Sequence, residues 1–589
     1  MAFLRLVLWT WIFSVAGGGL HAQLVDVSQG IPLSTDHTSG FLGTGVSVAD
    51  FDGDGWDDVS FGHHGGQLAF YHGSGSGYAA ATLGLTNGTA ESKGLLWADF
   101  NNDGHQDLFV ANRLSPNRLW WADGNGGFVD GSTTSGLWVS NARSYGACAG
   151  DYDRDGDLDL FVANYVHSAQ VETPRNELYR NNGNGTFTDV TYSAGVGTPV
   201  IQSFQGQWVD FNEDGWLDLH VIVDRTIFPN LYYENQGNGT FVERADEAGL
   251  NIMINAMSTS VADYDRDGDM DVYVTGGLEG NRLLENVDGF FSEFIPEPGG
   301  ENLRVNSLCW AACWMDEDND GWEDVYVTTG YTEATVYPDV YAEYILKDKF
   351  FRNTGGQFLD ASEEVLAPGN NLSFAAAPTD LNRDGFLDFI SHRVGPTAQV
   401  RQGTPNGNHY LRVRPVGTVS NRDGVGTKVK IWVDGQQQYR MAFAGENYLG
   451  QNSRWLHFGL GPATVVDSMI VTWPLGLIER YYNVDADNFL VLTEGAAMDC
   501  PPGVECEGCT YPAACNFDAF ANADDGSCDF SCCTSPAACG PGTVWSQALA
   551  QCVPVSNSLE CHADLNDDGS VTVGDLMLFL SAFAQVCEE

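Results

Sequence analysis

Basic residues are scarce in this sequence. The 589-residue chain carries 27 Lys and Arg against 79 Asp and Glu, for a formal charge of −52. Such a surface repels phosphate backbones, which excludes bare DNA or RNA as a partner. Long apolar runs are missing too: past residue 22 no segment reaches the roughly 20 apolar residues of a membrane span. Cysteine is thin over most of the chain, since only Cys148, Cys309 and Cys313 precede Cys500. Catalytic signatures are also lacking. There is no Gly-x-Ser-x-Gly elbow, no His-Glu-x-x-His and no phosphate loop. Long acidic runs do not occur either. The acids stand in short, spaced clusters, and 12% aromatic residues is too many for a disordered chain.

What is present begins with a leader. Arg5, the apolar stretch from Leu6 to Ala16, and Ala22 before a cut at Gln23 predict a secretion signal over 1–22. The mature chain is then secreted, extracellular or at the cell surface, with no transmembrane segment. Of the 14 cysteines, 11 fall between Cys500 and Cys587. In an oxidising compartment that skew predicts a disulfide-stapled module over 497–557.

One pattern dominates the rest. Asp-x-Asp/Asn-x-Asp-Gly-x-x-Asp occurs seven times, at intervals of 49 to 64 residues. Positions 1, 3, 5 and 9 are Asp50, Asp52, Asp54 and Asp58 in the first copy, then Asp99, Asn101, Asp103 and Asp107 in the second. The third has Asp151, Asp153, Asp155 and Asp159, and the fourth Asp210, Asn212, Asp214 and Asp218. Asp263, Asp265, Asp267 and Asp271 form the fifth, and Asp316, Asp318, Asp320 and Asp324 the sixth. Asp380, Asn382, Asp384 and Asp388 form the last. Calcium takes six to eight hard oxygen ligands at about 2.3–2.6 Å, and alternate acids on a curled loop supply them. Position 7 can add a backbone carbonyl, which leaves its side chain free to vary. Position 6 is glycine in every copy, where the turn needs φ > 0. Position 12 lacks the Glu of an EF-hand, and strand-like segments such as LFVAN and VYVTG follow. Each loop therefore connects two strands.

A hairpin pattern follows most loops, as in NELYRNNGNGTFTDV from Asn176 and NLYYENQGNGTFVE from Asn230. Loop strands and hairpin strands make about four per repeat, which predicts an all-β, seven-bladed β-propeller over 23–405. LVDVSQGI from Leu24 has the ending of a repeat with no loop before it, and the loop at Asp380 lacks a matching ending. The N-terminal strand is expected to complete the seventh blade. On these loops the chain resembles the FG-GAP and VCBS repeats of integrin α-subunit propellers and bacterial surface proteins.

From Asn406 the loop spacing stops. NGNHYLRVRPVGTVSNRDGVGTKVKIWV, ENYLGQNSRWLHFGLG, VDSMIVTWPLG and YYNVDADNFLVL read as about seven strands, a small β-sandwich-like domain over 406–496. NRDGVG at Asn421 lacks ligands at positions 1 and 9 and reads as a tight turn. HFGLG and VTWPLG resemble the ASPIC/UnbV domain. A propeller followed by ASPIC/UnbV resembles the cartilage acidic protein family and its bacterial relatives, which implies a secreted, acidic, calcium-binding protein of the cell surface or matrix. The tail over 558–589 resembles half of a dockerin. Asp564, Asn566, Asp568, the Ser570 carbonyl and Asp575 stand at EF-hand spacing before an apolar stretch. This is an eighth calcium candidate beside the seven of the propeller, and the tail is a candidate for cell-surface docking.

Other candidates have plainer readings. Trp97, Trp208 and Trp314, each two residues before a loop, read as blade core. His63 and His64 are adjacent and face opposite sides of a strand. Cys148 and Cys313 belong to blades three and six and are not expected to pair. Asn112 and Asn164 read as turn residues or as part of a ligand surface. The functional expectation is a calcium-binding adhesion or scaffold protein, not an enzyme, presenting a rigid propeller to an extracellular protein or glycan. The alternatives are a lectin-like glycan binder and a secreted carbohydrate-active enzyme.

Overall fold

The computed structural model describes residues 24–37, 42–65, 67–137, 143–165, 175–197, 201–305, 307–330, 347–366, 373–393 and 395–496. Beyond these it describes 507–508, 523–524, 543–546 and 551–554. The predicted leader, most of the predicted Cys-rich module and the dockerin-like segment with Asp564, Asn566, Asp568, Ser570 and Asp575 lie outside the described residues. The chain forms two compact units, Met1–Ala497 and Met498–Glu589. The second holds a hairpin of Thr543–Ser546 with Gln551–Pro554 and a short parallel pair, Glu507–Gly508 with Ala523–Asp524.

Between residues 25 and 402 the described chain forms seven four-stranded antiparallel sheets. The first strands are Val46–Ala49, Glu91–Ala98, Ser144–Gly150, Ser203–Val209, Ala256–Ala262, Cys309–Met315 and Ser373–Thr379. Each touches the next in that order, and the last returns to the first, so the sheets close into a ring. Close approach explains two glycines on these strands. A Cβ on Gly94 would lie 2.7 Å from the Tyr145 carbonyl oxygen, and one on Gly146 2.5 Å from that of Phe204. Two four-residue helices, Ala245–Ala248 and Ser362–Val365, are the helical content of the described residues. Neither is long and apolar enough to cross a membrane.

The ring closes as the sequence predicts. Sheet 7 takes its outer strand from the N-terminus, with Val25 opposite Gln402 and Asp26 opposite Arg401. The Val27 N–H extends the pairing to the Val400 carbonyl at 3.0 Å. Trp97, Trp208 and Trp314 are buried, and each stacks across a blade boundary on the aromatic residue at position 2 of the preceding loop. Trp97 meets Phe51 at 5.0 Å, Trp208 meets Tyr152 at 6.0 Å, and Trp314 meets Tyr264 at 6.4 Å between ring centres.

Seven further strands follow in the same unit. One sheet orders Leu456–Gly461, His409–Val416 and Asn488–Thr493; the other orders Gln436–Met441, Lys428–Val433, Val465–Thr472 and Ile478–Asp485. Leu411, Val413, Val429, Ile431, Phe458 and Met469 pack between them. The segment ENYLGQNSRW is not a strand, contrary to the sequence reading. Residues 442–453 instead run into the centre of the propeller ring. Tyr448 is fully buried there, 4.9 Å from the Trp310 ring and 5.6 Å from that of Phe204, and its hydroxyl donates to the Leu42 carbonyl at 2.8 Å. The Gln451 side chain binds both the N–H and the carbonyl of Trp97 at 2.8 Å. Ala149 N–H donates to the Ala444 carbonyl at 2.9 Å, and Val48 N–H to that of Gln451 at 3.0 Å. The plug approaches so closely that a Cβ on Gly45 would sit 2.0 Å from the Leu449 carbonyl oxygen.

Removing the plug's anchor is therefore expected to loosen the unit as a whole. Tyr448→Ala should cost about 3–5 kcal/mol, the usual range for deleting a buried aromatic ring. Val491→Ala, at an exposed site, should stay within about 0.5 kcal/mol. Denaturant midpoints of the two variants check this, and equal midpoints would contradict the plug's structural role.

Candidate metal loops

All seven acidic loops join the first and second strands of a sheet. Two backbone positions make the turn. The glycine at position 6 has φ between 84° and 101° in every loop. Position 4 is also left-handed: Gly53 is at 77°, and Asn102, Arg154, Glu213, Arg266, Asn319 and Arg383 lie between 55° and 64°. Sequence reasoning missed position 4, because Arg and Glu carry no preference for that conformation.

In five of the seven loops, position 4 also binds the next loop. The Arg154 guanidinium stacks on Trp216 of the next loop at 5.1 Å, Arg266 on Trp322 at 3.9 Å, and Arg383 on Trp56 at 4.9 Å. The last of these carries the contact from loop 7 back to loop 1. Asn102 donates to Asp157 Oδ1 at 2.8 Å, and Asn319 to the Gly385 carbonyl at 3.0 Å. Position 7, whose side chain the sequence reading left free, is the landing site for these contacts in loops 1, 3, 4 and 6. The alternation of Arg at position 4 with Trp at the next position 7 was the available signal.

Position 9 is the structural clasp. Asp58, Asp107, Asp159, Asp218, Asp271, Asp324 and Asp388 are all buried. In each, Oδ1 accepts a backbone N–H from the end of the third strand at 2.7–2.8 Å. In six, Oδ2 accepts the N–H of position 2. In loop 4 the Tyr232 hydroxyl takes that place, donating to Asp218 Oδ2 at 2.6 Å. In sheets 3 to 6 the third-strand donor is an asparagine whose Nδ2 binds the position-2 carbonyl of the preceding loop. Asn181 reaches Phe100, Asn235 reaches Tyr152, Asn286 reaches Phe211, and Asn353 reaches Tyr264. Each acidic loop thus sits on a blade boundary.

The donor set fits a hard cation. Asp50, Asp52 and Asp54 bring oxygens within 4.8 Å of one another, as do Asp151, Asp153 and Asp159. Asp263 with Asp265 and Asp271, and Asp316 with Asp318 and Asp320, do the same. His72 joins Asp52 and Asp58, its Nδ1 3.0 Å from Asp52 Oδ2. Its sequence signal, a His where the hairpins of sheets 3 to 6 place Arg or Glu, was overlooked. In loops 2, 4 and 7 the amides of Asn101, Asn212 and Asn382 bind the position-5 carboxylate at 2.9–3.1 Å. The oxygens Asp50 Oδ1, Asp153 Oδ1, Asp210 Oδ1 and Asp263 Oδ2 are buried without a hydrogen-bond donor. A buried acceptor with no partner costs about 1–3 kcal/mol, more if charged, and a cation removes that cost. Burial, with neighbouring carboxylates adding to it, pushes Asp99, Asp151 and Asp263 up to about 7. Burial likewise raises Asp58, Asp107 and Asp218 to about 8.

The sandwich domain supplies cations to the same face. Arg414 Nη1 lies 3.3 Å from Asp50 Oδ2, Lys428 Nζ 2.6 Å from Asp210 Oδ2, and Arg412 Nη1 3.2 Å from Asp380 Oδ2. Lys430 bridges Glu213 at 3.0 Å and the Gly268 carbonyl at 2.8 Å. The tight turn at Asn421 is present, closed by Gly424 N–H onto the Asn421 carbonyl at 2.9 Å. It also docks: Asp423 Oδ2 accepts the Asp99 N–H at 2.8 Å. The signal for this face was the alternation of LRVR and KVKI, which sets cations opposite the apolar core of the sandwich.

The remaining candidates are structural. Asn112 and Asn164 are buried and hold loop backbone, Asn112 through Pro116 and Asn164 through Arg175. Cys148 and Cys313 are buried and unpaired. His63 accepts the Gly65 N–H at 2.8 Å while His64 faces Glu91 at 3.5 Å, so the two do not converge.

Residues 50–110, 99–162, 165–221, 210–274 and 316–391 match the family model described as FG-GAP-like repeat, together about half of the chain. Residues 417–499 match the model described as ASPIC and UnbV. Proteins named Cartilage acidic protein 1 are similar. The Mus musculus protein is 24% identical, covering 79% of this chain and 76% of its own length, and the Homo sapiens protein is 23% identical, covering 97% and 90%. The Xenopus tropicalis protein is 24% identical over 76% of this chain and 73% of its own length. Two crystal structures of BBS1N in complex with ARL6DN, soaked with mercury and with lead, are 10% and 9% identical. They cover 64% and 65% of this chain and 96% and 97% of theirs, at TM-scores of 0.42 and 0.37.

The clasp is expected to act even without metal. In Asp159→Asn the amide NH2 would face the N–H of Tyr152 or Asn181, leaving a buried donor unpaired at about 1–3 kcal/mol. The denaturation midpoint measured in excess chelator should fall accordingly. No change in chelator would show that Asp159 matters only as a ligand.

Proposed function

The chain belongs to the FG-GAP-like repeat family, and from that premise we propose that it is an extracellular, calcium-stabilised adhesion or scaffold protein. The observation that carries the reading is the set of buried loop oxygens with no donor, those of Asp50, Asp153 and Asp263 lying within groups of three carboxylates. In this reading each loop holds one ion through positions 1, 3, 5 and 9 and the carbonyl of position 7, about seven in all. A bound calcium supplies a compact double positive charge that offsets carboxylate repulsion at each loop. The chain's own residues do the rest. The clasp at position 9 holds the loop closed, the asparagines of sheets 3 to 6 tie it to the blade before, and in five loops position 4 ties it to the loop after. Because every loop lies on a blade boundary, filling it stiffens the ring as well as one sheet. The similarity to proteins named Cartilage acidic protein 1 supports a matrix-type, secreted setting. Loop acids held ionised by a metal are poor general acids, which weighs against a hydrolase that uses them.

A glycan-binding alternative has one observation in its favour. A groove of about 370 Å³ between sheets 3 and 4 is lined by Tyr152, Asp153, Arg180, Trp216 and Asn238. An indole beside charged and amide groups suits a sugar ring.

Calcium should raise the unfolding temperature of the full chain, and chelator should lower it. Each site would add about 2.7 kcal/mol at 100 times its dissociation constant. Elemental analysis of protein purified in calcium should find several equivalents per chain. No bound calcium, with the same melting temperature in chelator, would end this reading. A glycan array run with calcium and with chelator separates the alternatives, since calcium-dependent signal abolished by Trp216→Ala would favour the sugar groove.

A further inference from the structure

The seven loops are not equivalent. Counted over positions 1, 3, 5, 7 and 9, loops 3 and 5 each carry five carboxylates, because position 7 adds Asp157 and Asp269. Among the ion pairs of the described residues, none joins a sandwich cation to the position-1 Asp of either loop; Lys430 reaches loop 5 only through the Gly268 carbonyl, at 2.8 Å. Asp269 Oδ1 and Asp263 Oδ2 in loop 5, and Asp153 Oδ1 in loop 3, are buried with no donor. Loops 4 and 7 are the opposite case. Each has three carboxylates and an amide at position 3, Asn212 or Asn382. Each also has its position-1 Asp paired to a cation from the sandwich, Lys428 at 2.6 Å in loop 4 and Arg412 at 3.2 Å in loop 7. Loop 1 is intermediate, with four carboxylates and Arg414 at 3.3 Å.

The geometry at loop 4 shows how one carboxylate can serve two cations. Asp210 Oδ2 takes the Lys428 ammonium and the Gly215 N–H at 2.9 Å. Asp210 Oδ1 is buried and without a donor. An ion on Oδ1 and an ammonium on Oδ2 would then share one negative charge across a few ångströms of protein, where like charges repel strongly. Affinity in calcium loops is set by ligand charge count and site rigidity.

We infer that the sandwich domain grades the ring's ion affinities. Lys428 and Arg412 act as built-in counter-ions that hold loops 4 and 7 as weak sites, while loops 3 and 5 are the tight ones. This rests on the calcium reading above and adds to it a role for the second domain. The tight pair keeps its ions when calcium is scarce. The weak pair fills only at higher calcium, and it lies where the sandwich is pinned to the ring.

The test is a calorimetric calcium titration of the full chain after metal stripping. At least two classes of site are expected, with two sites in the tightest class. Lys428→Met should move one weak site about tenfold tighter, by removal of one adjacent positive charge, and Lys428→Arg should leave the isotherm as in the parent. Asp269→Asn should loosen one tight site by about the same factor. Arg414→Met is the second probe should Lys428→Met fail to fold, as judged by its melting curve, and should tighten one site of loop 1. A single class of equal sites, or charge-removing variants whose isotherms match the parent, would overturn the grading while leaving the calcium reading in place. A chain that binds no calcium at all would overturn both.

Discussion

A carboxylate taken out of water needs donors or a cation around it. This protein places that problem seven times on one face of a ring. The position-9 acids solve it with backbone: two N–H groups, one from the loop and one from the third strand, satisfy the two oxygens in six of the seven loops. Those acids are consequently part of the fold whether or not an ion is present. The position-1 acids solve it only in part. One oxygen takes the glycine N–H of position 6, and in loops 1, 4 and 5 the other is left buried without a donor. The loops are built to be finished by something positive.

Two sources of positive charge are open to them, and they act on different scales. A small divalent ion can enter each loop separately. The sandwich domain brings fixed cations to several loops at once, through Arg412, Arg414 and Lys428. Docking of the sandwich is then an electrostatic event on its rim and an apolar one at its centre, where Tyr448 and Leu449 enter the ring, the tyrosine against Phe204 and Trp310. The two contributions differ in kind. Buried ion pairs add little net stability against hydrophobic isosteres, though breaking one is costly. Burying an aromatic side chain contributes directly. The plug therefore adds apolar adhesion between ring and sandwich, and the cations add direction to it.

The ring itself was legible in the sequence because its unit is short and its chemistry is unusual. Glycine at position 6 and acids at 1, 3, 5 and 9 give a pattern that few other structures need. The N-terminal closing strand was legible for the same reason, as an ending without a beginning. What stayed hidden were contacts between repeats. Position 4 reads as random when Arg, Asn and Glu are compared within one loop. It becomes meaningful only when paired with position 7 of the next loop, some 50 residues on. The asparagines of the third strands looked like turn residues because they precede Gly-rich turns; their Nδ2 groups serve the neighbouring blade instead. The plug was hidden differently. ENYLGQNSRW has the apolar spacing of a strand, but its apolar residues face another domain's core, and nothing local distinguishes the two environments.

The alternating cations of LRVR and KVKI carry the wider lesson about the acidic excess. With 27 basic residues in 589, the chain has few to spend, and it sets several on adjacent sandwich strands facing the loops. A uniform acidic surface would push the two halves apart. Setting the cations against the acidic loops reverses that locally and leaves the remaining surface negative. The same placement ties two properties that could have been independent. Any change in loop charge, by an ion arriving or a proton leaving, is felt by the residues that hold the sandwich on the ring. Loop 3, with five carboxylates and no sandwich cation among the ion pairs of the described residues, is the place where an ion can bind without disturbing that contact.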